Sequence, residues 1–393
     1  LAAEDGHAGT PVPVPHDGAS RHGGNRLALA ARAGRAPEAM LDFSANINPL
    51  GAPKAAQAAF GACWRTLADY PDPDCIALRT AIGCHLGLSS EWVLPGNGSE
   101  QLIWWLPRLL GARRVLVTAP CYADYRRAAA VWGLEVVPVA LYAEDDFDLD
   151  IGRVVDLARD GDLVWLGHPN NPTGRLLAVA DVAAAAAARP GVWWVLDEAF
   201  IDFVEDAPSA VPLGLDRLGL ENLIVLRSMT KFFALAGLRL GYAVLAPELA
   251  VAARRLLPDW SVSTPAQAVG AAVLSDPGLA AFAAQTRDLI GSERAVLTAA
   301  LRGLGARVID GAANYLLWRV PASASSATGL AAALLQRHAI AVRTCDDYAG
   351  LDAAWLRVAV RGPEDNQRLL KALVAELTQG ARAGSSGVAG NRA

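Results

Sequence analysis

Six short apolar runs set the pattern of the chain. They are Val115-Leu116-Val117-Thr118, Val136-Val137-Pro138-Val139, Leu163-Val164-Trp165-Leu166, Val192-Trp193-Trp194-Val195-Leu196, Leu223-Ile224-Val225-Leu226 and Gly241-Tyr242-Ala243-Val244-Leu245. Each is strand-length and apolar throughout, which predicts a strand buried on both faces. Helices are predicted between them, among others from the end of Ala119-Pro120-Cys121-Tyr122 to about residue 132 and over about 178–188. Such alternation implies an α/β architecture, a mostly parallel sheet covered by helices on both faces. The proline at 138 puts its strand near an edge, because proline donates no ladder hydrogen bond.

The flanks read differently. Residues 1–21 are rich in Ala, Gly and Pro and are expected to form a mobile arm. His22-Gly23-Gly24-Asn25 precedes a helical segment to about 33, and residues 41–51 read as a short strand ending in a turn. Helices are expected over 54–68, 75–86 and 102–110, the last entered through the Gly-rich turn 94–101. From about 265 the texture changes to a long helix over 279–305, short strands at 306–309, 314–320, 340–343 and 356–360, and a helix over 364–379. The expected layout is a segment 22–53 joining the small domain, a large domain 54–260, a small α+β domain 261–379 and a disordered tail 380–393.

Composition narrows the classes of function. At 393 residues two domains are the natural expectation. The net charge of −5, with both signs interspersed, offers no basic face for nucleic acid and no polybasic segment for a membrane. Five scattered cysteines without C-x-x-C or zinc-ligand spacing read as reduced thiols of a cytoplasmic protein with no metal. No apolar run has the length of a membrane span, and the N-terminus lacks the layout of a signal peptide.

Chemistry concentrates where the strands end. Ser228-Met229-Thr230-Lys231-Phe232-Phe233 follows one apolar run, with Arg239 eight residues after the lysine. A lysine beside a buried strand loses hydration, which lowers its pKa and frees its lone pair to attack a carbonyl. The hydroxyls and the arginine suit a phosphate. In parallel sheets ligands sit at the carboxyl ends of the strands. His168-Pro169-Asn170-Asn171-Pro172-Thr173-Gly174 follows Leu166 at such an end, as Asp197-Glu198-Ala199-Phe200 follows Leu196. The convergence suggests a Schiff-base lysine beside a phosphate-bearing aldehyde cofactor. The turn at 94–101 either presents helix N–H groups to that phosphate or is a simple Ser99 cap with Glu100 in the first turn.

The Asn-Asn-Pro-Thr-Gly segment ending at Gly174, Asp197-Glu-Ala-Phe200, Ser228-x-x-Lys231 and Arg239, in this order and spacing, resemble the fold-type I pyridoxal-phosphate enzymes, in particular the histidinol-phosphate aminotransferase-like group, over roughly residues 20–378. This resemblance implies a large domain with a mostly parallel seven-stranded sheet between helices and a smaller α+β domain. The segments 22–25, 42–49 and 197–203, with phenylalanine at 200, resemble the threonine-phosphate decarboxylases of cobalamin synthesis. The resemblance implies pyridoxal 5'-phosphate as cofactor. Lys231 would carry it and move protons at Cα, and Asp197 would face the pyridine nitrogen. Asn171 would donate to the ring oxygen, Tyr122 would stack on the ring, and Phe200 would line its pocket. Ser99, Glu100, Ser228, Thr230 and Arg239 would hold its phosphate, and Tyr70 would reach the phosphate of the neighbouring subunit of a homodimer. Arg357 would hold a substrate carboxylate and Arg343 a substrate phosphate, with His22, Asn25, Asn48 and Asn171 completing the substrate end. The implied partner is a small phosphorylated amino acid and the implied activity a decarboxylation. Alternatives are transamination of histidinol phosphate and a catalytically silent protein that keeps the fold.

Overall fold

The computed structural model describes residues 22–211, 219–322, 324 and 326–386. The expected arm at 1–21 lies outside them. In chain order the N-terminal segment holds α1 (Arg26–Ala33) and β1 (Leu41–Asp42). Then come α2 (Lys54–Ala62), α3 (Ile76–Leu86), β2 (Val93–Asn97), α4 (Gly98–Leu109), β3 (Arg114–Ala119), α5 (Ala123–Val131) and β4 (Glu135–Ala140). They are followed by α6 (Ile151–Leu157), β5 (Asp162–Gly167), α7 (Val179–Ala188), β6 (Trp193–Asp197), β7 (Leu223–Ser228), β8 (Leu240–Val244), α8 (Pro247–Leu256) and α9 (Thr264–Leu274). The remainder is α10 (Leu279–Gly303), β9 (Arg307–Val308), β10 (Tyr315–Arg319), α11 (Ala327–His338), β11 (Ile340–Ala341), β12 (Arg343–Thr344), β13 (Trp355–Ala359) and α12 (Pro363–Ser386).

The seven-stranded sheet has the order β2-β8-β7-β6-β5-β3-β4. Only β8 runs antiparallel to its neighbours, β7 and β2. The apolar runs supply six of the seven strands. The seventh, β2, lies in the stretch expected to be a Gly-rich turn, because Gly96 and Asn97 continue the ladder against Gly241 and Leu240. Pro138 does lie on the edge strand, β4. Alternate residues along a strand face opposite ways. Thus Val164, Leu166, Trp194, Leu196 and Val225 enter one core. Leu163, Trp165, Val195, Ile224 and Leu226 enter the other. All ten are essentially inaccessible to water, and burying each such side chain contributes about 1.5–3 kcal/mol.

The small sheet has the order β12-β13-β10-β9, all antiparallel. β1 pairs in parallel with β11, and the Ala359 N–H donates to the Phe43 carbonyl, so the N-terminal segment lies against the small-sheet elements. α9, on the far side of residue 260, packs against α2 and α3. The last helix continues to Ser386, so residues 380–386, expected within a disordered tail, are helical; 387–393 lie outside the described residues. None of the described helices is long and apolar enough to cross a membrane.

Candidate active site

The strands β5, β6 and β7 end together, and the polar residues that follow them converge on one cavity of about 960 Å³, counted to its open mouth. His22, Ser99, Glu100, Tyr122, Asn171, Asp197, Phe200, Ser228, Thr230, Lys231, Arg239, Arg343 and Arg357 all line it. Lys231 stands after β7. Among the described residues its Nζ has no hydrogen-bond or ion-pair partner. Burial, then the Arg239 and Arg357 guanidiniums, lower its pKa to about 8.

Asp197 and Glu198 are adjacent but have opposite fates. Glu198 is fully buried against Arg227, with Oε2 2.8 Å from Nε, and also accepts from Ser209 Oγ and the Ala210 N–H. It belongs to the scaffold. Asp197 faces the cavity. Its Oδ2 accepts from the Tyr125 hydroxyl at 2.7 Å and its Oδ1 from the Ala199 N–H at 3.1 Å. Burial raises its pKa, and those two donors work against the rise.

The opposite end is a cradle for an anion. α4 begins at Gly98, and its first turn carries Ser99 and Glu100. A Cβ on Gly241 would lie 2.3 Å from the Ser99 nitrogen, and one on Gly98 would lie 2.7 Å from Arg239 Nη2. Bare Cα atoms at both positions therefore let the helix N-terminus and the guanidinium come together. Ser228 Oγ and Thr230 Oγ1 lie 2.7 Å apart beside them. Helix N–H groups, two hydroxyls and an arginine match a phosphate dianion. The Glu100 side chain points elsewhere, accepting from Tyr122 Oη at 2.9 Å and Trp104 Nε1 at 2.6 Å. Burial and then the nearby Asp124 raise its pKa.

Arg357 is buried on β13 and stacks over the Tyr315 ring. It donates to Asn171 Oδ1 at 2.5 Å and to the Ser44 carbonyl at 2.9 Å. It has no carboxylate partner among the described residues, and its Nε is buried without a hydrogen bond. With Oδ1 of Asn171 taken by a donor, Nδ2 is the end left for an acceptor. Phe200 packs edge-on against Tyr315, at 5.0 Å between centroids. Arg343 reaches the cavity while paired with Asp347 at 2.6 Å. His22 Nε2 lies 2.9 Å from Asp124 Oδ2, and its ring lies beside Tyr122.

Three expected site residues do not line the cavity. Asn25 caps α1 by accepting from the Ala28 N–H. Asn48 is buried and spends its side chain on the Phe232 carbonyl, Thr286 Oγ1 and the Leu50 N–H. Tyr70 is 78% exposed and stacks on Trp260 at 4.5 Å. Conversely, Ser44, Asn46, Tyr125 and Tyr348 line the cavity and were not singled out. Asn46 sits inside the segment 42–49, and Tyr125 follows Tyr122 by one helical turn, a usable spacing. Tyr348 lies in a loop and carried no signal. Among the described residues no cluster of three or more His, Cys, Asp or Glu side chains is arranged to hold a metal ion.

A desolvated lysine, a buried carboxylate and a phosphate cradle at the strand ends of this sheet define a pyridoxal-phosphate enzyme fold. The chain belongs to the aminotransferase class I and II family, whose model matches residues 38–373. Its cofactor is pyridoxal 5'-phosphate, which fits the cradle, the unpartnered lysine and the free Asn171 amide described above. The chain is 37% identical to a threonine-phosphate decarboxylase of Salmonella typhimurium, covering 91% of this chain and 97% of that protein. It is 34% identical to histidinol-phosphate aminotransferase 2 of Ralstonia nicotianae, covering 86% and 89%. It is also 33% identical to an adenosylcobalamin biosynthesis bifunctional protein of Leptospira interrogans, covering 89% of this chain but only 40% of that protein. A crystal structure of histidinol-phosphate aminotransferase from Sinorhizobium meliloti in complex with pyridoxal 5'-phosphate has a TM-score of 0.81 at 24% identity, covering 91% and 95%.

Proposed function

We propose that this enzyme decarboxylates L-threonine O-3-phosphate to (R)-1-amino-2-propanol O-phosphate in cobalamin synthesis. The observation that carries the reading is Arg357, buried beside the lysine and lacking a carboxylate partner among the described residues. A buried guanidinium needs an anion. Arg239 serves the cofactor cradle. Arg357 is then the guanidinium that suits a substrate carboxylate, while Arg343, paired with Asp347, and His22, beside Asp124, line the part of the cavity assigned to the substrate phosphate. Relatives carrying the names of both activities, at 37% and 34% identity, are similarly distant, so identity does not separate them.

Pyridoxal 5'-phosphate supplies an aldehyde that takes up the substrate amine and an electron-poor ring that accepts the electron pair released at Cα. Asp197 would face the ring nitrogen and favour its protonated form, the Asn171 amide would donate to the ring oxygen, and Tyr122 and Phe200 would supply walls for the ring. Arg357 and Arg343 anchor the two ends of the substrate. Fixing both ends would limit rotation of the substrate in the cavity, and once the Cα–carboxylate bond is cleaved and carbon dioxide lost, Lys231 Nζ would deliver a proton to Cα in its place.

The site is proposed to be completed by a second copy of the chain. Phe60, Trp64, Leu67, Tyr70, Ile76 and Trp260 are exposed large apolar side chains from the α2–α3 region and its neighbour. A surface so rich in them suits burial against a partner, and Tyr70 would then reach the partner's cofactor phosphate.

Incubation with L-threonine O-3-phosphate and cofactor is expected to release carbon dioxide and aminopropanol phosphate in equal amounts. No release, together with amino transfer from histidinol phosphate to 2-oxoglutarate, would instead establish the aminotransferase reading favoured by the Ralstonia relative.

A further inference from the structure

Tyr125 is the cavity residue furthest from solvent that has a polar contact with the proposed machinery. It lies in the first turn of α5 and is 2% exposed. Its ring stacks on Trp165 of β5, at 4.9 Å between centroids and 5° between planes. Trp165 belongs to the strand next to β6, which carries Asp197. The stack fixes where the tyrosine hydroxyl points, and it points at Asp197 Oδ2, 2.7 Å away.

The arrangement does more than fill space. A phenylalanine would make the same stack. The hydroxyl is added in a place where burying it without a partner would be costly, and its partner is the carboxylate proposed to meet the cofactor's ring nitrogen. The Ala199 N–H holds the other oxygen. Two donors, one on each oxygen, define the carboxylate plane, and each oxygen keeps a lone pair for a further donor. The Tyr125 phenol itself is held well above its ordinary pKa, by burial first and the Asp197 charge next, so it stays a donor. Among the forces on Asp197, burial pushes its pKa up, and the largest opposing influence is this hydroxyl.

We propose that Tyr125 is a positioning residue for Asp197: its hydroxyl, locked by the Trp165 stack, orients the carboxylate and stabilises its negative charge, so that Asp197 can keep the cofactor's ring nitrogen protonated. The inference rests on the role proposed above for Asp197.

The test uses the holoenzyme reconstituted with 15N-labelled pyridoxal 5'-phosphate, following the ring-nitrogen 15N shift as a function of pH. Tyr125→Phe keeps the stack and removes the hydrogen bond. With the donor gone the Asp197 carboxylate becomes more basic, by about one pH unit, the scale of one hydrogen bond to a charged group, so the shared proton is expected to move from the ring nitrogen toward Asp197 and the 15N shift toward that of the unprotonated ring. Cofactor affinity should fall about tenfold. Replacing Tyr125 by 3-fluorotyrosine, whose hydroxyl is the stronger donor, should move the titration the other way. Asp197→Asn separates the two claims. If Asp197→Asn shifts the titration and Tyr125→Phe does not, Tyr125 is only a packing residue and the inference is overturned. If Asp197→Asn also leaves the 15N shift unchanged, the Asp197 role itself is wrong, and the inference falls with it.

Discussion

At the scale of single residues, Lys231 and Arg357 are cations of the cavity without a carboxylate partner among the described residues. Lys231 has its pKa lowered to about 8, by burial first and then by Arg239 and Arg357. The neutral amine is the form that attacks an aldehyde. The rate at which apo-protein captures cofactor should therefore rise about tenfold per pH unit below about 8 and level off above it. Stopped-flow absorbance checks this, and Lys231→Ala should abolish the visible band of the bound cofactor. The same shift has a stability sign. Lysine in the unfolded chain keeps its ordinary, higher pKa, so the unfolded chain binds more protons. Stability of the apo-protein should rise with pH from about 8 toward the unfolded value near 10.5. Arg357 donates to Asn171 and the Ser44 carbonyl but to no carboxylate among the described residues. Arg357→Ala should cost about 2–5 kcal/mol in substrate binding, or about 30-fold or more in kcat/KM. Arg357→Lys should not restore it, because an ammonium cannot reproduce the planar fork. An unaltered kcat/KM in Arg357→Ala would remove the carboxylate assignment.

At the scale of elements, the loop after β7 is held from outside. The Asn48 N–H donates to the Lys231 carbonyl and its Nδ2 to the Phe232 carbonyl and Thr286 Oγ1. One side chain thus ties the N-terminal segment, the lysine loop and α10 together. Expected from resemblance to contact substrate, Asn48 instead secures the backbone on either side of the lysine. Asn48→Ala leaves a buried carbonyl and hydroxyl without that donor and should destabilise the protein by about 1–3 kcal/mol, measured as a lower midpoint in urea. An unchanged midpoint would show that water or a rearranged partner replaces the amide. Local pattern could not have separated these roles. Asn46 and Asn48 stand two residues apart in the same turn, yet Asn46 lines the cavity and Asn48 is sealed beneath the loop. What distinguishes them is the approach of Phe232 and Thr286, from 184 and 238 residues away.

At the scale of the whole molecule, the described residues leave an apolar surface around Trp64, 80% exposed, and Tyr70, stacked on Trp260. Sedimentation at micromolar concentration is expected to give a dimer, and Trp64→Glu should shift it toward monomer and weaken cofactor binding through loss of Tyr70 from the neighbouring site. A monomeric, fully cofactor-loaded wild type would rule this out. The chain by itself determined the α/β class, six of the seven large-sheet strands and the positions of Lys231, Asp197, Asn171 and Arg239. Those features are local: apolar runs bury on both faces wherever they are placed, and parallel strands bring their carboxyl ends, with whatever polar residues follow, to one side. The tertiary structure decided the rest. It divided Asp197 from Glu198, turned Asn25 and Asn48 from the cavity, brought in Tyr125 and Tyr348, and left Arg357 without a carboxylate partner among the described residues. Apart from Asn25, whose cap on the Ala28 N–H is local, these depend on contacts between elements far apart in the chain, where the free energy of burying a polar group is set by whichever partner the fold delivers.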